Sequence, residues 1–144
     1  MKPVRFEVFP KVSTAQLNRL YAKAWPHHRS FDFDPVIRQC LRFVCAYDGK
    51  VLVGSVYLAW DGAQHAFLLE PTVAPRFRRR GIGKELVRKA IEIARDRGCE
   101  WVHVDYTASL APFYRACGFR STKAGLIRLA NSNDSKSRRV PAQP

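Results

Sequence analysis

The junction between residues 73 and 86 constrains this chain more than any other stretch. It reads Val73-Ala74-Pro75-Arg76-Phe77-Arg78-Arg79-Arg80-Gly81-Ile82-Gly83-Lys84-Glu85-Leu86. Before it, Ala66 to Val73 reads as a strand. After it, apolar residues recur at Ile82, Leu86, Val87, Ala90, Ile91, Ile93 and Ala94, which is helical spacing, and Gly98 follows as a stop. The backbone N–H groups that open a helix lack intrahelical partners and carry the positive end of its dipole, so they suit a phosphate. Gly81 and Gly83 put no side chain in the way of an oxyanion, and four arginines and Lys84 surround the turn. A pyrophosphate is the natural guest.

The flanking sequence extends this into a fold. Trp101 to Tyr106 is the next strand, and strand, helix, strand from Ala66 to Tyr106 forms a crossover unit whose two strands should run parallel. Upstream, Val4, Phe6 and Val8 alternate with Arg5 and Glu7 as in a half-buried strand. Ser13 is a candidate N-cap for a helix burying Leu17, Leu20, Tyr21 and Ala24 and ending before Pro26. Asp34-Pro35 opens a second helix carrying Val36, Ile37 and Leu41. Phe43 to Tyr47, the Asp48-Gly49 turn and Val51 to Trp60 read as a hairpin, and Asp61-Gly62 turns the chain again. Downstream, Ser109 to Cys117 reads as a short helix and Phe119 towards Leu129 as a final strand. The expected fold class is α/β, a mixed sheet with helices on both faces.

Composition narrows the partners. Lys and Arg number 25 against 12 Asp and Glu, a net charge of +13 on 144 residues, which points to an anionic partner. From residue 131 the chain turns polar and basic and loses apolar periodicity. We expect residues 1–130 to be one domain and 131–144 a disordered tail. Lys136, Arg138 and Arg139 against Asp134 give that tail +2 and leave +11 on the domain. No secretory signal opens the chain, and Val51 to Trp60, broken by Gly54 and Ser55, falls short of a bilayer span. Cys40, Cys45, Cys99 and Cys117 show neither paired nor zinc-type spacing, so buried free thiols, no metal and a cytoplasmic location are expected.

Three phosphate-loop patterns compete for the junction. A P-loop requires G-x-x-x-x-G-K-[ST], but Glu85 follows Gly83-Lys84 and no earlier glycine is in register. A dinucleotide fingerprint lacks its third glycine, because Leu86 stands there. The remaining pattern is [RQ]-x-x-G-x-[GA], here Arg78-Arg79-Arg80-Gly81-Ile82-Gly83 directly after a strand ending V-x-P. It resembles the acetyl-CoA-binding signature of the GNAT acetyltransferase superfamily. Ala111-Pro112-Phe113-Tyr114-Arg115-Ala116-Cys117-Gly118-Phe119 is similar to that family's second signature, a short helix with F-Y-x-x-x-G-F. Element order and spacing match over nearly all of residues 4–130.

The resemblance implies a mostly antiparallel central sheet in which one parallel strand pair splays to admit the pantetheine arm. It places the arm against Val73, and the pyrophosphate on the N–H groups of Arg78, Arg79, Arg80, Gly81, Ile82, Gly83 and Lys84. Thr107 stands where many relatives carry an asparagine that holds the arm. The implied activity is acetyl-CoA-dependent N-acetylation of a primary amine by direct transfer, without a metal. Tyr114 is the implied acid for the thiolate leaving group and contacts the cofactor, and Glu70 is a candidate base or amine-binding carboxylate. His103, Asp105 and His65 are further candidate bases; the first two share a strand face and could instead simply satisfy one another. Trp25, His27, His28 and Phe31 are candidates for the acceptor pocket. Dimers are common in the family, so a homodimer fits, whereas membrane and nucleic-acid partners are not expected. The alternatives are a non-catalytic acyl-CoA-binding protein of the same fold and a basic nucleic-acid-binding module.

Overall fold

A computed structural model describes residues 2–130. Five strands form one sheet in the order β1 (Arg5–Val8), β2 (Arg42–Asp48), β3 (Val51–Trp60), β4 (His65–Val73) and β5 (Trp101–His103). The first three pairings are antiparallel and β4 with β5 is parallel. The helices are α1 (Thr14–Ala24), α2 (Asp34–Gln39), α3 (Ile82–Asp96) and α4 (Ala111–Ala116), with single 3₁₀ turns at Pro75–Phe77 and Ala108–Leu110. Among the described residues no helix is long and apolar enough to cross a membrane.

Each helix begins where local chemistry dictates. Ser13 caps α1 through a reciprocal box: its Oγ accepts from the Gln16 N–H at 3.2 Å, and Gln16 Oε1 accepts from the Ser13 N–H at 3.0 Å. The face of α1 that it fixes buries Leu17, Leu20, Tyr21 and Ala24, as the spacing predicts. The α3 helix buries Ile82, Leu86, Val87, Ala90 and Ala94 against β2, β3 and β4. It approaches the sheet closely: a Cβ on Gly54 would stand 3.1 Å from Leu86 Cδ1. On its outer face Arg88 pairs with Glu85 and Glu92.

Strand β4 is not regular. Ser55 pairs with Thr72 and Tyr57 with Leu69, so Val56 alone faces both Glu70 and Pro71. This is a bulge, with Glu70 in the left-handed region at φ 51°. It reverses the strand's alternation, so His65, Phe67 and Leu69 lie on the face away from α3, while beyond the bulge it is Val73 that shares the face of Gly54.

Two expectations fail at the C-terminal side. Strand β5 ends at His103 rather than Tyr106, and the final strand from Phe119 towards Leu129 does not form. Residues 120–130 are exposed, with Leu126, Ile127 and Leu129 each at least 80% accessible. A strand needs a ladder partner, and three residues of β5 offer too little edge. A groove of about 790 Å³ instead separates residues 101–108 from residues 118–126. The tail at 131–144 lies outside the described residues.

Candidate active site

Strands β4 and β5 share three rungs, His65 with Trp101, Ala66 with Val102 and Phe67 with His103, and then separate. Beyond Phe67, β4 runs on to Val73 along an edge that β5 has left. Because the Ala74 N–H donates to Val53 O on β3 at 2.8 Å, alternation turns the Val73 carbonyl towards the open edge. The result is a slot bounded by β4 and residues 104–107, as the resemblance implies.

The Arg78 side chain departs from expectation. Its Nε donates to Val73 O at 3.1 Å and its Nη2 to Ala24 O at 3.2 Å. The guanidinium therefore bridges the end of β4 to the end of α1, and the Arg78 backbone N–H donates to Pro75 O at 3.3 Å, so the residue's donors close the turn. Nothing local in the sequence announces this, since the second carbonyl lies 54 residues away.

At the mouth of the slot the chain turns through two left-handed residues, Arg79 at φ 60° and Gly81 at φ 79°. Gly81 is the α3 N-cap, and the first intrahelical bond is Glu85 N–H to Gly81 O at 3.0 Å. The N–H groups of Ile82, Gly83 and Lys84 thus have no helical acceptor. A left-handed conformation costs a non-glycine residue on the order of 1 kcal/mol, and Arg79 adopts it in the turn that aims these donors. Arg79 and Lys84 are exposed, and the Arg80 guanidinium lies 5.1 Å from the Phe77 ring centre.

Tyr114 is 1% exposed. The second signature has a physical basis in how α4 ends: the Gly118 N–H donates to Arg115 O and the Phe119 N–H to Tyr114 O, both at 3.0 Å, with Gly118 at φ 97°. This is the Schellman motif, which calls for glycine at the left-handed position and an apolar contact across the closure. Phe119 supplies that contact, edge-on to Tyr114 with ring centres 5.8 Å apart. Tyr106 stacks on Tyr114 at 4.8 Å and bonds Ser121 Oγ through its own hydroxyl at 3.0 Å. Burial foremost, with Cys117 and Tyr106 adding to it, pushes the Tyr114 pKa above that of an ordinary tyrosine. Tyr106 was not singled out from sequence; its alignment with Tyr114 appears only once β5 leaves the sheet. Thr107 Oγ1 lies 3.1 Å from Ser109 Oγ at the start of the following turn.

The candidate bases separate. Glu70 is half-buried at the bulge on β4. His103 pairs with His65 rather than Asp105: His65 Nδ1 and His103 Nε2 are 2.8 Å apart. Trp25, His28 and Phe31 are taken up in packing. Trp25 stacks on Tyr21 at 4.6 Å, Phe31 meets Phe33 at 5.0 Å, and His28 Nε2 lies 2.8 Å from Asn18 Oδ1. His27 is exposed. All four cysteines are free; Cys45 is buried, the others partly so. Among the described residues no group of three or more His, Cys, Asp or Glu is arranged to hold a metal ion.

Comparison with known proteins agrees with this geometry. The model of the Acetyltransferase (GNAT) family matches residues 14–119, and the chain belongs to that family. It is 48% identical over 42 residues to glucosamine 6-phosphate N-acetyltransferase 1 of Oryza sativa subsp. japonica, covering 29% of this chain and 26% of that protein. The match thus spans only about a quarter of that relative's length. A GNAT family acetyltransferase of Streptococcus pneumoniae TIGR4 superposes with a TM-score of 0.75 at 22% identity, covering 89% of this chain and 100% of that one. The aminoglycoside N-acetyltransferase AAC(6')-Iy, solved in complex with CoA, has a TM-score of 0.71 at 19% identity, over 89% of this chain and 95% of its own. The family uses acetyl-CoA.

Proposed function

We propose that residues 1–130 form an acetyl-CoA-dependent N-acetyltransferase that moves an acetyl group directly to a primary amine. The observation that carries this reading is the β4–β5 slot, with a strained donor turn at its mouth and Tyr114 packed close by. In this reading the Val73 backbone holds the pantetheine arm and the Thr107 hydroxyl adds a contact. The N–H groups from Arg79 to Lys84 take the pyrophosphate, with Arg79, Arg80 and Lys84 supplying charge.

The chemistry then divides into two proton problems. The CoA thiolate, near pKa 8.5 by analogy with cysteine, must gain a proton. Tyr114 is the donor at the acyl end, and its elevated pKa keeps it protonated while making the transfer moderately uphill. The acceptor, at about pKa 10.4 for a lysine-like amine, must shed a proton at a cost of roughly 4.6 kcal/mol at pH 7. Glu70 holds the ammonium at the bulge. A cytoplasmic protein, active as a monomer or homodimer, fits this chemistry.

The test is a thiol-release assay with acetyl-CoA and glucosamine 6-phosphate, thialysine or an aminoglycoside, beside a thermal-shift titration. Acetyl-CoA should stabilise the protein, and Tyr114→Phe should lower kcat by more than it weakens that stabilisation. No stabilisation at saturating acetyl-CoA would overturn the assignment. Stabilisation without transfer to any amine would leave a binding protein.

A further inference from the structure

His65 and His103 stand 38 residues apart in sequence and on different strands, yet their ring nitrogens meet at 2.8 Å. Both project from the sheet face away from α3. The His103 ring lies nearly parallel to that of Phe67, with centres 4.7 Å apart at 17°, which fixes its plane. Two imidazoles at this distance share one proton, so one ring donates and the other offers a lone pair. The bond leaves His103 Nδ1 at one end of a continuous chain and His65 Nε2 at the other.

The position matters more than the pairing. Phe67 with His103 is the last rung before β4 and β5 part, so His103 stands at the closed end of the slot. An arm held at the α3 turn and laid along β4 runs back from Val73 towards Phe67, about 20 Å at 3.3 Å per residue. Its acyl end, and the amine that attacks it, therefore arrive at the closed end.

We propose that His103 is a catalytic base and His65 its outlet: His103 Nδ1 takes a proton from the acceptor ammonium while His103 Nε2–H passes its own to His65 Nδ1. The proton on His65 Nε2 then leaves to water, and solvent resets the tautomers. The freed amine lone pair forms the C–N bond, the C–S bond breaks, and the electron pair departs on sulfur. The amine's second proton is lost as Tyr114 protonates the thiolate and is itself restored. The acceptor thus gives up two protons, one ending on CoA and one in bulk water. Glu70 holds the ammonium; the imidazoles remove its proton.

Two acidic residues lie close to the pair along the chain. Asp61, in the turn between β3 and β4, accepts from the His65 backbone N–H at 3.1 Å and from the Ala63 N–H at 2.8 Å. Those bonds hold its carboxyl below the usual range, so it stays anionic. Asp105 follows two residues after His103. Arg97 is occupied over the Trp60 ring, 5.1 Å from its centre.

The inference rests on the acetyltransferase reading, and one set of measurements separates the two. Initial rates of thiol release would be followed from pH 6 to 10 with whichever of the three amines the wild-type protein turns over, for wild type, His103→Gln, His65→Gln and His103→Ala. Loss of a general base at a slot otherwise intact predicts a kcat about 10²-fold lower at pH 7 for the His103 variants. The deficit should shrink towards pH 10 as free amine accumulates, while stabilisation by acetyl-CoA is unchanged. His65→Gln should show a smaller deficit of the same pH shape, and added imidazole should partly restore His103→Ala. Wild-type rates and pH profile in the His103 variants would overturn the relay and leave the acetyltransferase standing. A wild-type protein stabilised by acetyl-CoA but turning over none of the amines would remove both. Independently, ¹⁵N shifts of the two rings must show complementary tautomers near pH 8, and the same tautomer with no shared proton would also overturn it.

Discussion

Replacing Arg78 distinguishes a structural arginine from a phosphate-binding one. Its guanidinium donates to two backbone carbonyls, Val73 O at 3.1 Å and Ala24 O at 3.2 Å, from a half-buried position. Hydrogen bonds from a charged donor contribute about 1.5–3 kcal/mol each, and partial exposure puts both near the lower end. Arg78→Ala should therefore cost about 2–3 kcal/mol, and at roughly 2–4 °C per kcal/mol for a domain near this size the Tm should fall by about 4–12 °C. Arg78→Lys should recover about half, because an ammonium cannot fork between carbonyls from two different elements. Scanning fluorimetry with and without acetyl-CoA reads both effects. The comparison is Arg79→Gln, an exposed neighbour, which should hold the unliganded Tm within about 1 °C and weaken stabilisation by the cofactor. An Arg78→Ala protein with wild-type Tm and no response to acetyl-CoA would refute the reasoning, since that is the signature of a phosphate ligand.

Two further outcomes follow from the geometry. Gly118 closes α4 at φ 97° with nothing within 4 Å of a built Cβ, so substitution meets backbone strain but no clash. Gly118→Ala should cost about 1–2 kcal/mol and Gly118→Asn less, in that order by chemical denaturation; equal stability would sink the Schellman account of the F-Y-x-x-x-G-F signature. At alkaline pH, burial pushes Cys45 up to about 12 and Tyr47 up to about 12, and it raises Tyr114 as well. These groups remain protonated in the folded state while the unfolded chain loses their protons from about pH 8.5–10 upward. Stability should therefore be flat below about pH 8.5 and fall from there to pH 12. Because burial raises Cys40 and Cys117 too, Cys45→Ala should make the fall between about pH 8.5 and 10 shallower without abolishing it; a Tm that rises over this range would contradict the sign.

What was legible in the sequence was what short-range pattern decides. The Ser13 box, the buried stripe of α3, the hairpin turn after Asp48 and the donor turn at Arg78–Gly83 each involve residues within a few positions of one another. What was not legible depends on distant partners. His103 has Asp105 two residues away and His65 on another strand, and only the β4–β5 register puts His65 within bonding distance. Phe119 to Leu129 has the apolar content of a strand, but content does not supply a partner edge, and β5 ends too soon to provide one. Arg78 reads as part of a charge run until the ends of α1 and β4 are brought beside it.

The slot itself can be traced to two short segments of sequence. A parallel ladder between β4 and β5 would have to continue past Phe67 to reach Tyr106, and Glu70-Pro71 obstructs it. Pro71 has no N–H to give, and Glu70 turns left-handed, so the two residues spend their length on one partner, Val56. At the far end Arg79 takes the same left-handed conformation. Of the three non-glycine residues with positive φ among those described, one lies within the open stretch of β4 and one in the turn beyond its end, and only Phe9 lies elsewhere. Strain of this kind persists where surrounding structure enforces it and where function requires the geometry. Here the bulge keeps β5 away from β4 and the turn aims donors along the space that opens, so the cofactor slot follows from the irregularities rather than from the regular sheet around them.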